Sequence, residues 1–412
     1  MKKIRLGIFG AGRGYDVADN FLTLGFDLVA ICDSHEERLA SAAKRAGNSV
    51  AAYTDFDKFL DHGLDAVIIA NFFHEHAPYI IKCMERGIHV FCECLSNGTM
   101  AEGIELLRAA KNSKSIFMLA ENYPQMIFNR EMQRVCRGGT LGKIVYAEGE
   151  YNHPVDPRDE SFSKRFNYFE GHWRNFLPRT YYITHSLGPL MAATGATPKR
   201  VTAFSIFSPR SADAPSASYN GDIASIITIQ NDDESVFRIT GNGGFGAHHN
   251  AYRLCGTKGQ IENVRGMNNK IMLRYNSWQI PEEFEENNLY EAQWNDPDED
   301  LIKKSDGHGG SDFVTARMFL ECIKEGRQPE FPFNLEAAVT MSSVAILAHR
   351  SALNGGQPYD IPDFNDEDCC KMYENDRLSP FATDPELRLP VCSHSDYAPT
   401  KKQLELYREL IK

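Results

Sequence analysis

The sequence has no apolar run approaching the roughly 18 to 20 residues that cross a bilayer, so a membrane-spanning helix is not expected. Basic charge is in deficit. The 44 Lys and Arg face 56 Asp and Glu, for a net charge of −12, and a surface that tracks phosphates must be basic. Nucleic acid and anionic membrane faces are therefore excluded as expected partners, and a small neutral or weakly charged substrate fits better. A signal-peptide core is also missing: Met1-Lys2-Lys3-Ile4-Arg5 runs directly into a strand, so a cytoplasmic protein is expected. Ten cysteines in 412 residues are no disulfide scaffold. Cys32 and Cys92 fall in expected buried strands and Cys83 and Cys322 in expected helices, where a thiol acts as a small apolar filler. Neither Cys92-Glu93-Cys94 nor the adjacent Cys369-Cys370 has the two-residue gap of common zinc ligands.

What is present is globular: 42% apolar and 24% charged residues in a chain long enough for two domains. From Lys3 to about Ala120, short apolar runs alternate with amphipathic stretches, the pattern of a parallel sheet wrapped by helices. Strands are expected at Ile4 to Phe9, Leu28 to Cys32, Ala66 to Ile69, His89 to Cys92 and Ile116 to Leu119, with helices between them. After a helix near Phe128 to Cys136, long runs of alternating polarity begin, including Lys143 to Tyr151, Arg200 to Ser208 and Ile223 to Gln230. Such alternation reads as an open, largely antiparallel sheet with one face covered. The fold class is thus α/β, a doubly wound parallel sheet followed by a second α/β domain with the open sheet. The expected boundaries are 1–123, 124–360 and a C-terminal extension at 361–412, whose Pro-, Asp- and Glu-rich part from Asp360 to Leu389 reads as irregular chain before a last helix.

The first strand ends in Gly10-Ala11-Gly12-Arg13-Gly14-Tyr15, and a helix follows at once. In the G-x-G-x-x-G fingerprint the first glycine permits the tight turn, and the second lets the backbone approach a pyrophosphate resting on the helix N-terminus. Gly10 and Gly12 fit; the third position holds Tyr15, with Gly14 displaced by one. The second strand ends in Asp33, about twenty residues beyond the glycines, where a carboxylate takes the ribose hydroxyls of the adenosine half. No arginine directly follows it, so NAD is favoured over NADP, whose 2′-phosphate would meet an uncompensated negative charge. Asp33 can serve at the same time as N-cap of the next helix.

The chain resembles the Gfo/Idh/MocA family, named for glucose-fructose oxidoreductase and inositol dehydrogenase. The resemblance rests on the amino-terminal fingerprint, on Ile69-Ala70-Asn71-Phe72-Phe73-His74-Glu75-His76-Ala77, and on Gly87-Ile88-His89-Val90-Phe91-Cys92-Glu93-Cys94-Leu95. It implies a Rossmann domain plus an open-sheet α/β domain, NAD- or NADP-dependent oxidation or reduction of a sugar or cyclitol hydroxyl, and a dimer or tetramer. It also implies that Arg13, Asn71, His76, Glu93 and Asn122 join Gly10, Gly12 and Asp33 around the cofactor. Typical members carry Glu-Lys-Pro after the fifth strand, with the lysine as acid/base or its partner; Glu93, Cys94 and Leu95 stand there instead. A thiol is a weak donor and cannot replace an ammonium.

Another group must then take the hydroxyl proton as hydride leaves. In Thr180-Tyr181-Tyr182-Ile183-Thr184-His185-Ser186, Tyr182 and His185 are three apart and, on a helix, share one face, which suits a tyrosine passing a proton to a histidine. The Tyr-x-Thr-His element is similar to that of the NAD-dependent redox glycosidases of this superfamily, which include α-N-acetylgalactosaminidases and also lack the lysine. By that resemblance the hydroxyl at the third sugar carbon is oxidised, the aglycone eliminated, water added and the hydride returned. Glu121, just past a strand end on the ligand-binding side of a parallel sheet, is expected to position the substrate. His153, Trp173, Arg174 and His308 are candidate substrate contacts; Ser311-Asp312, after the Gly-rich turn around His308, reads equally as a helix cap. His153, His185 and His308 with Glu121 are the residues a Lewis-acid metal would need, but no metal belongs to the expected site. Three readings stand: an NAD-dependent sugar oxidoreductase, a redox-neutral NAD-dependent glycoside hydrolase, and a catalytically idle NAD-binding sensor.

Overall fold

The computed structural model describes residues 3–166, 168–241, 243–305 and 307–412. In chain order the first stretch reads β1 (Arg5–Phe9), α1 (Arg13–Thr23), β2 (Asp27–Cys32), α2 (Glu36–Ala46), β3 (Ala51–Tyr53), α3 (Phe56–Leu60), β4 (Ala66–Ile69), α4 (His76–Glu85), β5 (His89–Cys92), α5 (Met100–Ala110), β6 (Phe117–Leu119) and α6 (Ile127–Arg137). There follow β7 (Ile144–Asn152), α7 (Glu160–Phe166), α8 (Thr184–Thr194), β8 (Pro198–Phe207), β9 (Asp222–Asn231), β10 (Val236–Gly241), β11 (His249–Gly256), β12 (Gly259–Val264), β13 (Met267–Tyr275) and β14 (Asn287–Glu291). The chain ends with α9 (Glu299–Lys304), α10 (Ser311–Glu325), α11 (Leu335–Leu353), β15 (Tyr359–Asp360), α12 (Glu367–Lys371) and α13 (Lys401–Leu410).

These elements form two compact units, neither a contiguous run of sequence. The first comprises Met1–Glu131, Gln293–Ser342 and Phe364–Asp376; the second comprises Met132–Ala292, Ser343–Asp363 and Arg377–Lys412. In the first unit six parallel strands run in the order β3-β2-β1-β4-β5-β6, the Rossmann order expected from the alternating apolar runs. Leu6, Ile8, Ile31 and Ile68 are wholly buried because helices cover both faces, which is why these strands read as unbroken apolar runs. Phe319 of α10 belongs to this core, with its ring 5.5 Å from that of Phe91 and 6.2 Å from that of Phe21. β3 was not among the expected strands; its three residues are too short to register as an apolar run.

The second unit holds a nine-stranded sheet, β14-β13-β12-β11-β7-β10-β9-β8-β15, antiparallel throughout except between β10 and β7. β11, β12 and β14 went unassigned in sequence. The stretch expected to be irregular contains the short α12, with β15 ending at its first residue, and among the described residues no helix is long and apolar enough to cross a membrane.

Each unit hides a histidine in its neutral form. Burial pushes His76 and His349 down from an ordinary 6.5 to about 4, although hydrogen bonds to backbone carbonyls oppose the shift. The unfolded chain therefore binds more protons between these values. The stability that each neutral ring contributes is complete above 6.5 and is lost as pH falls toward 4, at about 2–3 kcal/mol per histidine. Thermal melts followed by circular dichroism should show the midpoint dropping through that window, and a smaller drop in His349→Gln.

Candidate functional site

At the glycine turn, Gly10 has φ +99°, and a Cβ there would lie 2.3 Å from the carbonyl oxygen of Ala70, so no other residue fits. Gly14 fills the packing role expected of the third fingerprint glycine: a Cβ on it would meet Ile8 at 2.7 Å. The one-residue displacement therefore leaves the contact between α1 and the sheet intact. Helix α1 starts at Gly12 with no side-chain cap, which leaves its first amides to an anion. Asp33 accepts from the backbone N–H of Ala11 at 2.7 Å and of His35 at 2.8 Å, fixing its carboxylate beside the turn. It is not the N-cap of α2. His35 holds that place, its Nδ1 accepting from the Arg38 N–H. Asn71 Oδ1 is buried without a hydrogen-bond partner among the described residues. Open helix amides, a carboxylate at the end of β2 and an unsatisfied amide oxygen are what a dinucleotide's phosphates and hydroxyls require, so these residues fit NAD.

Nearby, Arg13 donates from Nε to Glu93 at 2.9 Å and from both terminal nitrogens to Asp312 at 3.1 and 3.2 Å. Burial alone would lower the Arg13 pKa, but the charges of Glu93 and Asp312 raise it. Asp312 also accepts from Asn122 and from His308 Nδ1. It is not the N-cap of α10: Gly310 holds that place, with no side-chain cap bond, and the Asp312 carboxylate is engaged with Arg13, Asn122 and His308. Sequence reasoning passed over Asp312 as a cap, although its position four residues after His308 was a usable signal. Glu121 is wholly buried and accepts the Tyr123 N–H at 3.0 Å, with the Cys94 thiol 3.5 Å from its other oxygen. His76 lies behind Asn71, the neighbour of the glycine turn. It donates from Nδ1 to the Leu95 carbonyl at 2.7 Å and lies 3.2 Å from that of Asn71, bracing the loops after β4 and β5.

In the second unit the polar aromatic residues gather around Tyr151, near the end of β7. Its ring stacks on Tyr182 with centroids 5.6 Å apart and meets His185 edge-on at 5.0 Å and His153 at 5.7 Å. Tyr182 and His185 are 5.4 Å apart. They do not share a helix as expected. α8 begins at Thr184, and Tyr182 stands before it with φ −116° and ψ 65°, so the chain's bend rather than helical spacing brings the rings together. The Tyr252 hydroxyl donates to the His185 carbonyl at 2.6 Å, and Ser186 Oγ donates to the Thr240 carbonyl at 2.7 Å, which pins the first turn of α8 to the sheet. Sequence reasoning missed the central role of Tyr151, which lies near the end of β7 just before His153. His248, also unassigned, lies 4.5 Å from the ring of His153. At Trp173 and Arg174 the guanidinium lies 4.5 Å over the indole and 5.5 Å from Phe166. Among the described residues no group of three or more His, Cys, Asp or Glu is arranged to hold a metal ion.

Comparison with known proteins matches the chain in two consecutive stretches. Residues 4–121 match the model of the oxidoreductase family with an NAD-binding Rossmann fold, and residues 129–370 match the glycosyl hydrolase 109 C-terminal domain. A glycosyl hydrolase family 109 protein of Streptomyces filamentosus is 27% identical over 398 residues, covering 88% of this chain and 77% of the relative. One from Stenotrophomonas maltophilia (strain K279a) is 25% identical over 419 residues, covering 88% and 89%. The structure of levoglucosan dehydrogenase with NADH and levoglucosan superposes with a TM-score of 0.72 at 18% identity, over 88% of this chain and all of that one, which shows a common fold. The chain belongs to the glycosyl hydrolase 109 family and is an NAD-dependent enzyme of the Gfo/Idh/MocA type.

Proposed function

We propose that the protein cleaves a glycoside by a redox-neutral route, with oxidation at the third ring carbon and NAD regenerated in each turnover. The match of residues 129–370 to the glycosyl hydrolase 109 C-terminal domain carries this reading, and Cys94 in place of the lysine of sugar dehydrogenases agrees with it. Bound NAD supplies the hydride acceptor and later its donor. Gly10, Gly12, Asp33 and Asn71 bind it, and Glu93, in its pair with Arg13, accepts from a ribose hydroxyl. Asp33 meets a 2′-phosphate with like charge, so calorimetry should give a weaker Kd for NADP than for NAD.

His185, with Tyr182 stacked on Tyr151 beside it, takes the hydroxyl proton as the carbonyl forms. The new carbonyl acidifies the hydrogen on the adjacent carbon. Loss of that proton expels the aglycone, water adds across the resulting double bond, and reduction of the carbonyl restores the ring hydroxyl. Glu121, Trp173, Arg174 and His153 hold the sugar in this assignment. Incubation with a panel of 4-nitrophenyl glycosides, including the α-N-acetylgalactosaminide, and NAD should release nitrophenol with no net NADH. Steady NADH accumulation on free sugars instead would establish net dehydrogenation, the second reading, which the resemblance to sugar dehydrogenases in fold keeps in view. A homo-oligomer, dimer or tetramer, is proposed as the working form, to be tested by sedimentation velocity.

A further inference from the structure

Asp312 receives four hydrogen bonds from three residues. Its Oδ1 accepts from Asn122 and Arg13, and its Oδ2 from Arg13 and from His308 Nδ1 at 3.1 Å. With only 4% of its side chain exposed, burial would raise its pKa, yet the His308 bond and the Arg13 charge hold it far below the usual carboxylate range. A carboxylate so saturated has no lone pair left to act as a base. What it can do is fix its donors. An ionised carboxylate only accepts, so a proton must sit on His308 Nδ1, and whenever the imidazole carries a single proton its Nε2 is bare.

The backbone points the same way. His308 has φ +48°, a left-handed conformation that a non-glycine residue rarely adopts, between Gly307, Gly309 and Gly310, all at positive φ. Strain of this kind persists where a site requires it, and here it holds an imidazole rather than a core side chain in place.

We propose that Asp312 is a positioning residue that locks His308 in its Nδ1–H tautomer, so that Nε2 receives a hydrogen bond from a hydroxyl of the substrate ring. The identity of that partner rests on the sugar reading above; the tautomer does not. Long-range proton–nitrogen correlation spectra of enzyme labelled on histidine nitrogen, recorded above the ordinary imidazole range, should show His308 with a protonated Nδ1 and an unprotonated Nε2. His308→Ala identifies the signal. In Asp312→Asn the proton should move toward Nε2, and kcat/KM on the 4-nitrophenyl glycoside cleaved by the wild type should fall by about 10–100-fold, the order found when a metal-bound histidine loses its orienting partner. Adding Asp312→Asn to His308→Ala should then cost less than Asp312→Asn costs in the wild type, by the share that acts through His308, while the share carried by Arg13 and Asn122 remains. An Nε2–H tautomer in the wild type, a tautomer unchanged in Asp312→Asn, or effects that multiply would each overturn the proposal. The wild-type spectrum decides even if Asp312→Asn fails to fold. If no glycoside is cleaved at all, the functional reading falls while the tautomer measurement still judges Asp312.

Discussion

His185→Ala should lower kcat by about 10²–10⁴-fold and leave the Kd for NAD within about 2-fold of wild type, measured by nitrophenol release and by calorimetry on the same preparations. The magnitude follows from what remains. Tyrosines ordinarily release their proton near pH 10, so a phenol without an imidazole beside it is a poor acceptor for a hydroxyl proton at neutral pH. The Tyr182 ring lies 5.4 Å from that of His185 and is stacked on Tyr151, so in Tyr182→Phe the shape is kept while the hydroxyl is lost. That variant should fall less far than His185→Ala, and the double variant little further than His185→Ala alone, as for groups that act as a unit. Gly10, Gly12 and Asp33 keep their places in the variant, so dinucleotide uptake should survive. Retention of more than about a tenth of the wild-type rate in His185→Ala would remove it from the chemistry.

Much of the first unit was legible because a parallel sheet covered on both faces writes itself as apolar runs separated by helices. The runs at β1, β2, β4 and β5 were found at nearly their true limits, and Gly10, Gly12 and Asp33 could be placed by strand ends alone. What was not legible is tertiary. Nothing local in Ser311–Glu325 says that Phe319 packs against Phe21 and Phe91, or that Asp312 answers Arg13 across almost three hundred residues of sequence. The same holds for His76, whose ring nitrogens serve two loop carbonyls that only the fold brings to it. In the second unit, helical spacing predicted that Tyr182 and His185 meet. They do, but through a bend at Tyr182, and the side chain that joins them, Tyr151, comes from a strand whose alternation was visible while its neighbours were not.

Gly149→Ala should be nearly as damaging as loss of an acid/base group, although it removes no functional atom. Gly149 lies on β7 where α8 crosses it, and a Cβ there would stand 2.1 Å from the carbonyl oxygen of Ser186 and 3.4 Å from Leu190. The obstacle is backbone, so a side-chain rotation cannot relieve it; the first turn of α8 must move away from the sheet by roughly 1 Å or more to reach ordinary van der Waals contact. That turn carries His185, while Tyr151 stays two residues further along the same strand as Gly149. The methyl group therefore drives apart the two rings now 5.0 Å from each other, and strains the bond from Ser186 Oγ to the Thr240 carbonyl. A displacement of about 1 Å in a reacting group costs on the order of 10²-fold in rate. The expected result is a fall of that size in kcat, a melting temperature lowered by several degrees, and a Kd for NAD close to wild type. Normal turnover in Gly149→Ala would mean that the Tyr151–His185 contact does not matter to the reaction, and the acid/base assignment would have to move to other residues.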